Sequence, residues 1–457
     1  MRLEKLRIKN YRCFEDIEID FDKRLTVLIA SNGGGKTTIL DAARVALWPF
    51  IKGFDLGSQT GKSATIQLDD VRLSKLKNAN MEPITPSEIE AIGSWHTDSL
   101  HQWTQQRISM KRGTNTLGDN TCKKFTNFGK SLQAEVRTDS DIALPLITYL
   151  GTSRLWFEGR FTSTAAQTNL DKSEYSRTSG YLNCLSYSSS FKTFTAWYSW
   201  IYKSYRQEQI VAIEKRQDLS ATGARFNDII QAIKKSIDSL IEPATGWCNI
   251  EYSESHNQQL VMHHPEQGTL PVELLSDGLR NTIAMVADIA YRACKLNPQF
   301  GSDAPLKTSG IALIDEVDMF LHPYWQQMIV GALCNAFPAM QFVVTTHSPQ
   351  VLSTVRRENI RVLGRSSEGK LTASSPLAMT YGEPSNNVLL GVMQVDPQPP
   401  VDEKSKLLQL TELVDKGRYD ESFTKKLMSE LTLALGPQHP QLLRLQRSIK
   451  RQEVLKK

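Results

Sequence analysis

Leu3, Leu6 and Ile8, then Ile17, Ile19 and Phe21, flank the polar stretch Arg12-Cys13-Phe14-Glu15. Apolar positions at strand spacing on both sides of a turn predict two paired strands. The next segment changes character. Leu25-Thr26-Val27-Leu28-Ile29 is a nearly continuous apolar run, the pattern of a strand buried on both faces. A glycine-rich stretch follows, then residues 39–47, which read as a helix. Residues 76–140 mix turns with amphipathic pieces, after a strand predicted over 64–68. In residues 186–242 Phe191, Phe194, Trp197, Ile201 and Tyr205 recur every three or four positions. Phe226, Ile229, Ile230, Ile233, Ile237 and Ile241 continue that period, so this region is predicted to be helical, its stripe serving packing rather than base stacking. A strand pair is predicted over 247–252 and 260–262, with His263-His264-Pro265-Glu266 as a turn. Residues 282–294 read as a helix, and two apolar runs, at 311–314 and 342–345, as strands. Pro397-Gln398-Pro399-Pro400 is a stiff linker signal, beyond which 404–414, 421–435 and 441–455 read as three helices.

Chemistry enters at the glycine-rich stretch. Ala30-Ser31-Asn32-Gly33-Gly34-Gly35-Lys36-Thr37-Thr38 sits between a predicted strand and a predicted helix, which is where a phosphate-binding loop belongs. Glycines let backbone N–H groups converge on phosphates, and the helix start adds its positive dipole end. Lys36 is placed to reach the β- and γ-phosphates of ATP, and the Thr37 hydroxyl to ligate Mg²⁺. Ala30 stands where the motif usually opens with glycine, a modest change because Gly33 to Gly35 remain. Farther on, Ile311-Ala312-Leu313-Ile314 ends in Asp315-Glu316. Two carboxylates at the C-terminal end of a buried strand point at a ligand crevice, Asp315 toward Mg²⁺ and Glu316 toward a water that attacks the γ-phosphate. Ser276 and Gly278, just before a helix start, make a second anion-binding terminus. The run Phe342 to Thr346 ends in His347.

The order of phosphate loop, Ser-x-Gly, Asp-Glu and His resembles the ABC-type ATPase heads of the SMC, RecF and OLD group. The resemblance implies an α/β P-loop NTPase, a head with a mixed central sheet plus an antiparallel β layer, a helical insert and a C-terminal helical module. It makes Leu275-Ser276-Asp277-Gly278 the signature motif, supplied in trans by a second head, Asp315-Glu316 the Walker B pair, Leu321-His322-Pro323 the D-loop and His347 the switch histidine. Catalytic roles then fall to Glu316 and His347, and nucleotide binding to Ser31, Asn32, Gly33, Gly34, Gly35, Lys36, Thr37, Thr38, Ser276 and Gly278. Asn10 and Arg12 are nucleotide contacts by family position only. Val317 departs from the proline many members carry there, and Leu144 to Trp156, in the Q-loop region, holds no convincing glutamine.

Three further stretches resemble the ATPase subunit of Septu-type anti-phage systems, also found beside some retrons: Tyr149-Leu150-Gly151-Thr152-Ser153-Arg154-Leu155-Trp156, Ser179 to Leu185, and Thr380 to Leu389. This implies a homodimer or higher homo-oligomer, and a partner in the form of a small HNH nuclease. It leaves open nucleic-acid partners: phage DNA, or a retron reverse transcriptase with its RNA–DNA product. The expected organisation is an N-terminal head part over 1–185, a helical insert over 186–242, a C-terminal head part over 243–396 and a helical interaction module over 401–457.

Bulk composition adds little. The 457 residues are 40% hydrophobic and 23% charged, as in a soluble globular protein, and Lys plus Arg exceed Asp plus Glu by 54 − 49 = 5. Scattered cysteines without a Cys-x-x-Cys, no signal-like start and no run of membrane-spanning length predict a bacterial cytoplasmic protein. About a hundred residues follow His347, with no Asp-x-Asp among them, which argues against an intrinsic nuclease of the OLD type. The expected function is therefore an ATPase that controls a nuclease partner. Two other functions fit the same parts: a RecF-like DNA-repair ATPase acting on duplex directly, and an ATP-stabilised scaffold with little turnover.

Overall fold

A computed structural model describes residues 1–58, 64–75, 80–95, 99–112, 116–154, 176–187, 191–366 and 369–455. Leu155 and Trp156 of the Septu-like run, and Lys456 and Lys457, lie outside these residues. The chain divides into two units, Met1–Met393 and Gln394–Lys457.

The first unit opens as its alternation predicts. Strands β1 (Arg2–Tyr11) and β2 (Phe14–Asp20) pair antiparallel, Leu6 opposite Ile19 and Ile8 opposite Ile17, with all four side chains buried. Strand β3 (Leu25–Ile29) leads through the glycine loop into α1 (Lys36–Ile51), which is buried along almost its whole length. Residues 64–68 are not a strand. Their backbone is held by side chains, Thr116 accepting from the Ile66 N–H and Arg107 donating to its carbonyl, and a short 3₁₀ turn follows at Leu68–Asp70. Strands β4 (Ser87–Ser94) and β5 (His101–Arg107) then extend the first hairpin into an antiparallel sheet ordered β2-β1-β4-β5, with Leu117–Gly118 at its edge. Helix α2 (Asn120–Glu135), capped by the Asp119 carboxylate, returns the chain to β6 (Leu146–Leu150).

Helices α3 (Phe191–Lys215) and α4 (Ala221–Thr245) form the predicted helical region. Their stripes are core: Phe194, Trp197, Ile201, Ile230, Ile233 and Ile237 belong to the same buried cluster as the sheets. A small antiparallel sheet follows, β7 (Cys248–Ser253), β8 (Gln259–His264) and β9 (Gly268–Pro271). His263 and His264, expected in a turn, end β8 and pair with Thr269 and Gly268. The His263 ring bonds Glu251 at 2.9 Å and Thr269 at 2.8 Å, which holds it in the sheet.

The remaining elements complete a second, central sheet: α5 (Asp277–Leu296), β10 (Gly310–Ile314), α6 (Ile329–Ala336), β11 (Met340–Thr345), β12 (Ile360–Arg365) and β13 (Leu371–Ser374). Among the described residues its order is β13-β12-β3-β11-β10-β6, parallel throughout except for the edge strand β13. Strands β6, β10 and β11 are buried at every position, which fits their largely apolar sequences, with Thr148, Gln341 and Thr345 as the buried polar members. The buried Gln341 amide ties the two sheets together, accepting from the Leu3 N–H at 2.9 Å and donating to the carbonyls of Leu3 and Asp22. This mixed central sheet with an antiparallel β layer and flanking helices is the α/β architecture expected of a P-loop ATPase head. Because β3, β11 and β10 are parallel neighbours, the segments leaving their C-terminal ends emerge along one edge: the glycine loop, His347, and Asp315-Glu316.

The second unit contains α7 (Lys404–Asp415), α8 (Ser422–Leu435) and α9 (Pro440–Leu455) around its own core of Leu407, Leu410, Val414, Leu427, Leu431, Leu442 and Leu445. Its first residue is Gln394, seven before the expected start at 401, because the compact unit takes in the proline linker. No helix of the described residues is long and apolar enough to cross a membrane, and all six cysteines are free thiols.

Candidate functional site

The loop after β3 is shaped for close approach by a ligand. Gly33 and Gly35 adopt φ of 75° and 92°, the left-handed region that favours glycine. A Cβ on Gly35 would also strike the Phe14 ring at 2.4 Å, so the β1–β2 turn presses directly on the loop. Gly35 caps α1 with no side-chain acceptor and no acidic residue in the first turn, which leaves that turn's N–H dipoles uncompensated by the protein. Ser31, Asn32, Gly33 and Thr37 are exposed, Gly34 and Gly35 half-buried, Lys36 and Thr38 buried.

Three chain segments converge here. Thr37 Oγ1 donates to Asp315 Oδ2 at 2.8 Å, and Thr345 Oγ1 donates to the other carboxylate oxygen at 2.6 Å. Lys36 Nζ lies 2.6 Å from His347 Nε2 and 3.3 Å from the Ala30 carbonyl. An ammonium can only donate, so the imidazole accepts through Nε2. Burial lowers the Lys36 pKa, opposed by the nearby carboxylates of Asp315, Glu316 and Asp318. Glu316 is half-buried with φ of 47°, an uncommon conformation for a residue with a side chain, and its N–H is anchored on the Thr345 hydroxyl at 2.8 Å. Val317 has a physical reason to replace proline: its N–H donates to the Thr345 carbonyl at 3.0 Å, a bond proline lacks the hydrogen to make. The structure thus joins Lys36 to His347 and Thr37 to Asp315 by hydrogen bonds across roughly 300 residues of sequence.

The donor chemistry fits Mg²⁺. Thr37 and Asp315 offer a hydroxyl and a carboxylate oxygen side by side. Among the described residues no group of three His, Cys, Asp or Glu gathers into a cage. Such a sparse, hard-oxygen pair suits an ion that keeps most of its waters and takes further ligands from substrate phosphates.

Ser276 and Gly278 stand at the start of α5. The Ser276 hydroxyl caps the helix on the Leu279 N–H, at a long 3.5 Å. A Cβ on Gly278 would meet the Phe320 carbonyl at 2.6 Å, and Asn281 donates to the Met319 carbonyl at 3.0 Å. The helix start is therefore packed on the turn that leads from Glu316 into the segment expected to be the D-loop. There His322 caps the short helix Pro323–Gln326.

One part of the site escaped the sequence reading. Arg12, at φ 47° in the β1–β2 turn, donates to Asp41 Oδ2 at 2.5 Å and to Asp70 Oδ1 at 2.8 Å. Asp41 also receives Arg44 at 2.7 Å and the Tyr187 hydroxyl at 2.7 Å, and the Arg44 guanidinium stacks 3.9 Å from the Tyr187 ring centroid. This network bolts the antiparallel layer to the phosphate-loop helix. Asn10, the other family-position candidate, donates to the Pro86 carbonyl instead. The advance signals were the family position of Arg12 and a pair of charged residues, Asp41 and Arg44, inside the apolar run over 39–47.

A family profile described as AAA domain matches residues 5–243, and a second, described as AAA ATPase domain, matches residues 161–352. The chain is 25% identical to Retron Ec83 probable ATPase of Escherichia coli, over 99% of this chain and 87% of that relative. It is likewise 25% identical to Retron Vc95 probable ATPase of Vibrio cholerae serotype O1 biovar El Tor, over 93% of this chain and 86% of the relative. A shorter stretch, 24% of this chain and 15% of the relative, is 39% identical to Septu protein PtuA of Bacillus mycoides.

Proposed function

Because the chain belongs to the AAA domain family, whose profile spans just over half of it, we propose that it is the ATP-binding and hydrolysing subunit of an anti-phage defence complex, and that it controls a partner HNH nuclease through nucleotide-dependent pairing of two heads. The observation that carries the ATPase reading is the convergence of Lys36, Thr37, Asp315 and His347 at one edge of the parallel sheet. The near full-length likeness to two retron ATPases and the local likeness to a Septu protein support the defence setting.

In this reading the glycine loop and the α1 dipole hold the phosphates, and Lys36 leaves His347 for the β/γ-phosphate oxygens. Thr37 and Asp315 would hold Mg²⁺, which when bound would neutralise phosphate charge. Glu316 orients and deprotonates the attacking water, and His347, released by Lys36, stabilises the γ-phosphate. A second head supplies Ser276 and Gly278 across the nucleotide, so that ATP closes an anion site from both sides and hydrolysis reopens it. Cleavage of nucleic acid belongs to the second polypeptide.

Two measurements test this. Ser276→Arg is expected to leave ATP binding to a single head intact and to prevent ATP-dependent association, because a bulky cation at the helix start blocks the opposing phosphate. Light scattering that shows wild-type assembly with ATP would overturn the two-headed site. Co-expression with an adjacent HNH reading frame is expected to yield a stable complex, and deletion of residues 401–457 to weaken nuclease recovery or break the oligomer while leaving ATP affinity unchanged. A truncated chain that recovers the nuclease at full stoichiometry and unchanged mass would move the dock to the helices at 186–242.

A further inference from the structure

The second unit segregates its charge. Along α7 and the turn after it every cation has a carboxylate partner, Lys404 with Asp396, Lys406 with Glu430, Lys416 with Glu412 and Arg418 with Glu421, while Lys425 and Lys426 on α8 form no ion pair among the described residues. On α9 the pattern inverts. Arg444, Arg447, Lys450 and Arg451 are all exposed, and none forms a recorded ion pair among the described residues. Glu453 is the sole acid of that helix.

The register makes these cations one surface. At about 100° per residue, Arg444, Arg447 and Arg451 fall within roughly 60° of one another. That face is opposite the Leu442, Leu445 and Ile449 stripe, which packs into the core of the unit. Along the helix axis the three guanidiniums span about 10 Å, while a nucleic-acid strand offers a phosphate roughly every 3.4 Å of axis. Between Arg444 and Arg451 this face carries Ser448 and no large apolar side chain, and the exposed Val454 and Leu455 lie beyond its C-terminal end. A protein-docking surface is built the other way, with an apolar centre depleted of charge and a charged rim. A cationic row without an apolar centre suits a regularly spaced polyanion held by its backbone, and arginine's planar fork matches phosphate oxygens two at a time.

We propose that α9 is a nucleic-acid backbone-binding surface, with Arg444, Arg447 and Arg451 as its phosphate contacts and Lys450 at its margin. Binding there is independent of ATP and of base sequence.

The test uses the full-length chain without nucleotide and fluorescence anisotropy with labelled 20-residue single-stranded DNA, the matching DNA duplex and the matching RNA, at 50–200 mM salt. At least one of these probes is expected to bind, and which one binds most tightly distinguishes DNA from RNA as the natural source. The plot of log affinity against log salt should fall with a slope of roughly −2 to −4, the value for three or four phosphate contacts. The triple variant R444A/R447A/R451A is expected to bind at least tenfold more weakly at 100 mM salt, with a slope flatter by roughly 2 to 3. The control K406A/K416A, which removes two paired cations from the same unit, should change affinity less than twofold. Circular dichroism of both variants should match the wild type, since all five side chains are exposed. Unchanged affinity and slope in the triple variant, an equal loss in the control, or competition by poly-glutamate as effective as unlabelled DNA would each overturn the proposal, the last in favour of an acidic protein partner.

Discussion

Lys36→Ala is expected to abolish measurable ATP binding. The wild-type ammonium is buried at the helix start, 2.6 Å from His347, within reach of the carboxylates Asp315, Glu316 and Asp318. Alanine removes the positive point charge directed at the β/γ-phosphates but leaves those carboxylates acting on the same spot, now as repulsion toward a polyanion. Truncating one partner of a buried charged pair costs about 2–5 kcal/mol, roughly 30- to 5,000-fold in affinity. Isothermal titration showing wild-type affinity would reject the loop as the phosphate site. The variant also separates binding from folding. Burial lowers the folded-state pKa of Lys36 below its unfolded value, so at neutral pH the charge weighs against the native state, and its loss is not expected to lower the melting temperature in the absence of nucleotide.

Glu316→Gln is expected to give the second large effect: ATP binding is retained and phosphate release falls by about 10²–10⁴-fold, the range for losing a positioned general base. The amide keeps the shape of the carboxylate, and the Glu316 N–H still anchors the unusual backbone conformation on the Thr345 hydroxyl. It cannot accept a proton from water. Phosphate release at the wild-type rate, measured in single-turnover conditions, would transfer the catalytic role elsewhere, with His347 next to be substituted.

The parts of the fold that were legible in the sequence are those whose core-facing positions are mostly apolar. Strands β3, β10 and β11 and helices α7 to α9 announce themselves this way, with Thr26, Gln341, Thr345 and Thr424 as buried polar exceptions. Strands β4 and β5 went unread because their inward faces are mixed. Ser87, Ala91 and Gly93 face in from β4 beside Ile89, and Gln105 and Arg107 from β5 beside Trp103. Gln105 donates to the Val45 carbonyl and Arg107 to the Ile66 carbonyl, so tertiary hydrogen bonds replace the hydrophobic signal that periodicity detects. The candidate site divides the same way. Its phosphate loop and acidic strand end are contiguous motifs and could be read directly. The Lys36–His347 contact and the Arg12–Asp41–Arg44 network join residues that only the folded sheet order makes neighbours.

That sheet order also governs when the protein can become functional during its synthesis. Strand β3 ends at residue 29, yet its neighbours β11 and β12 begin at residues 340 and 360. At about 5–20 residues per second, the ribosome needs roughly 15–60 s to deliver the partners of the first central strand. Through that interval the β1–β2 hairpin can form, but the Gln341 tie between the sheets and the His347 end of the site cannot. Assembly is therefore expected to be late and nearly all-or-none, with folding slowed by long-range parallel pairing. A ribosome that stops before residue 347 releases a chain carrying the phosphate loop without the groups that complete it.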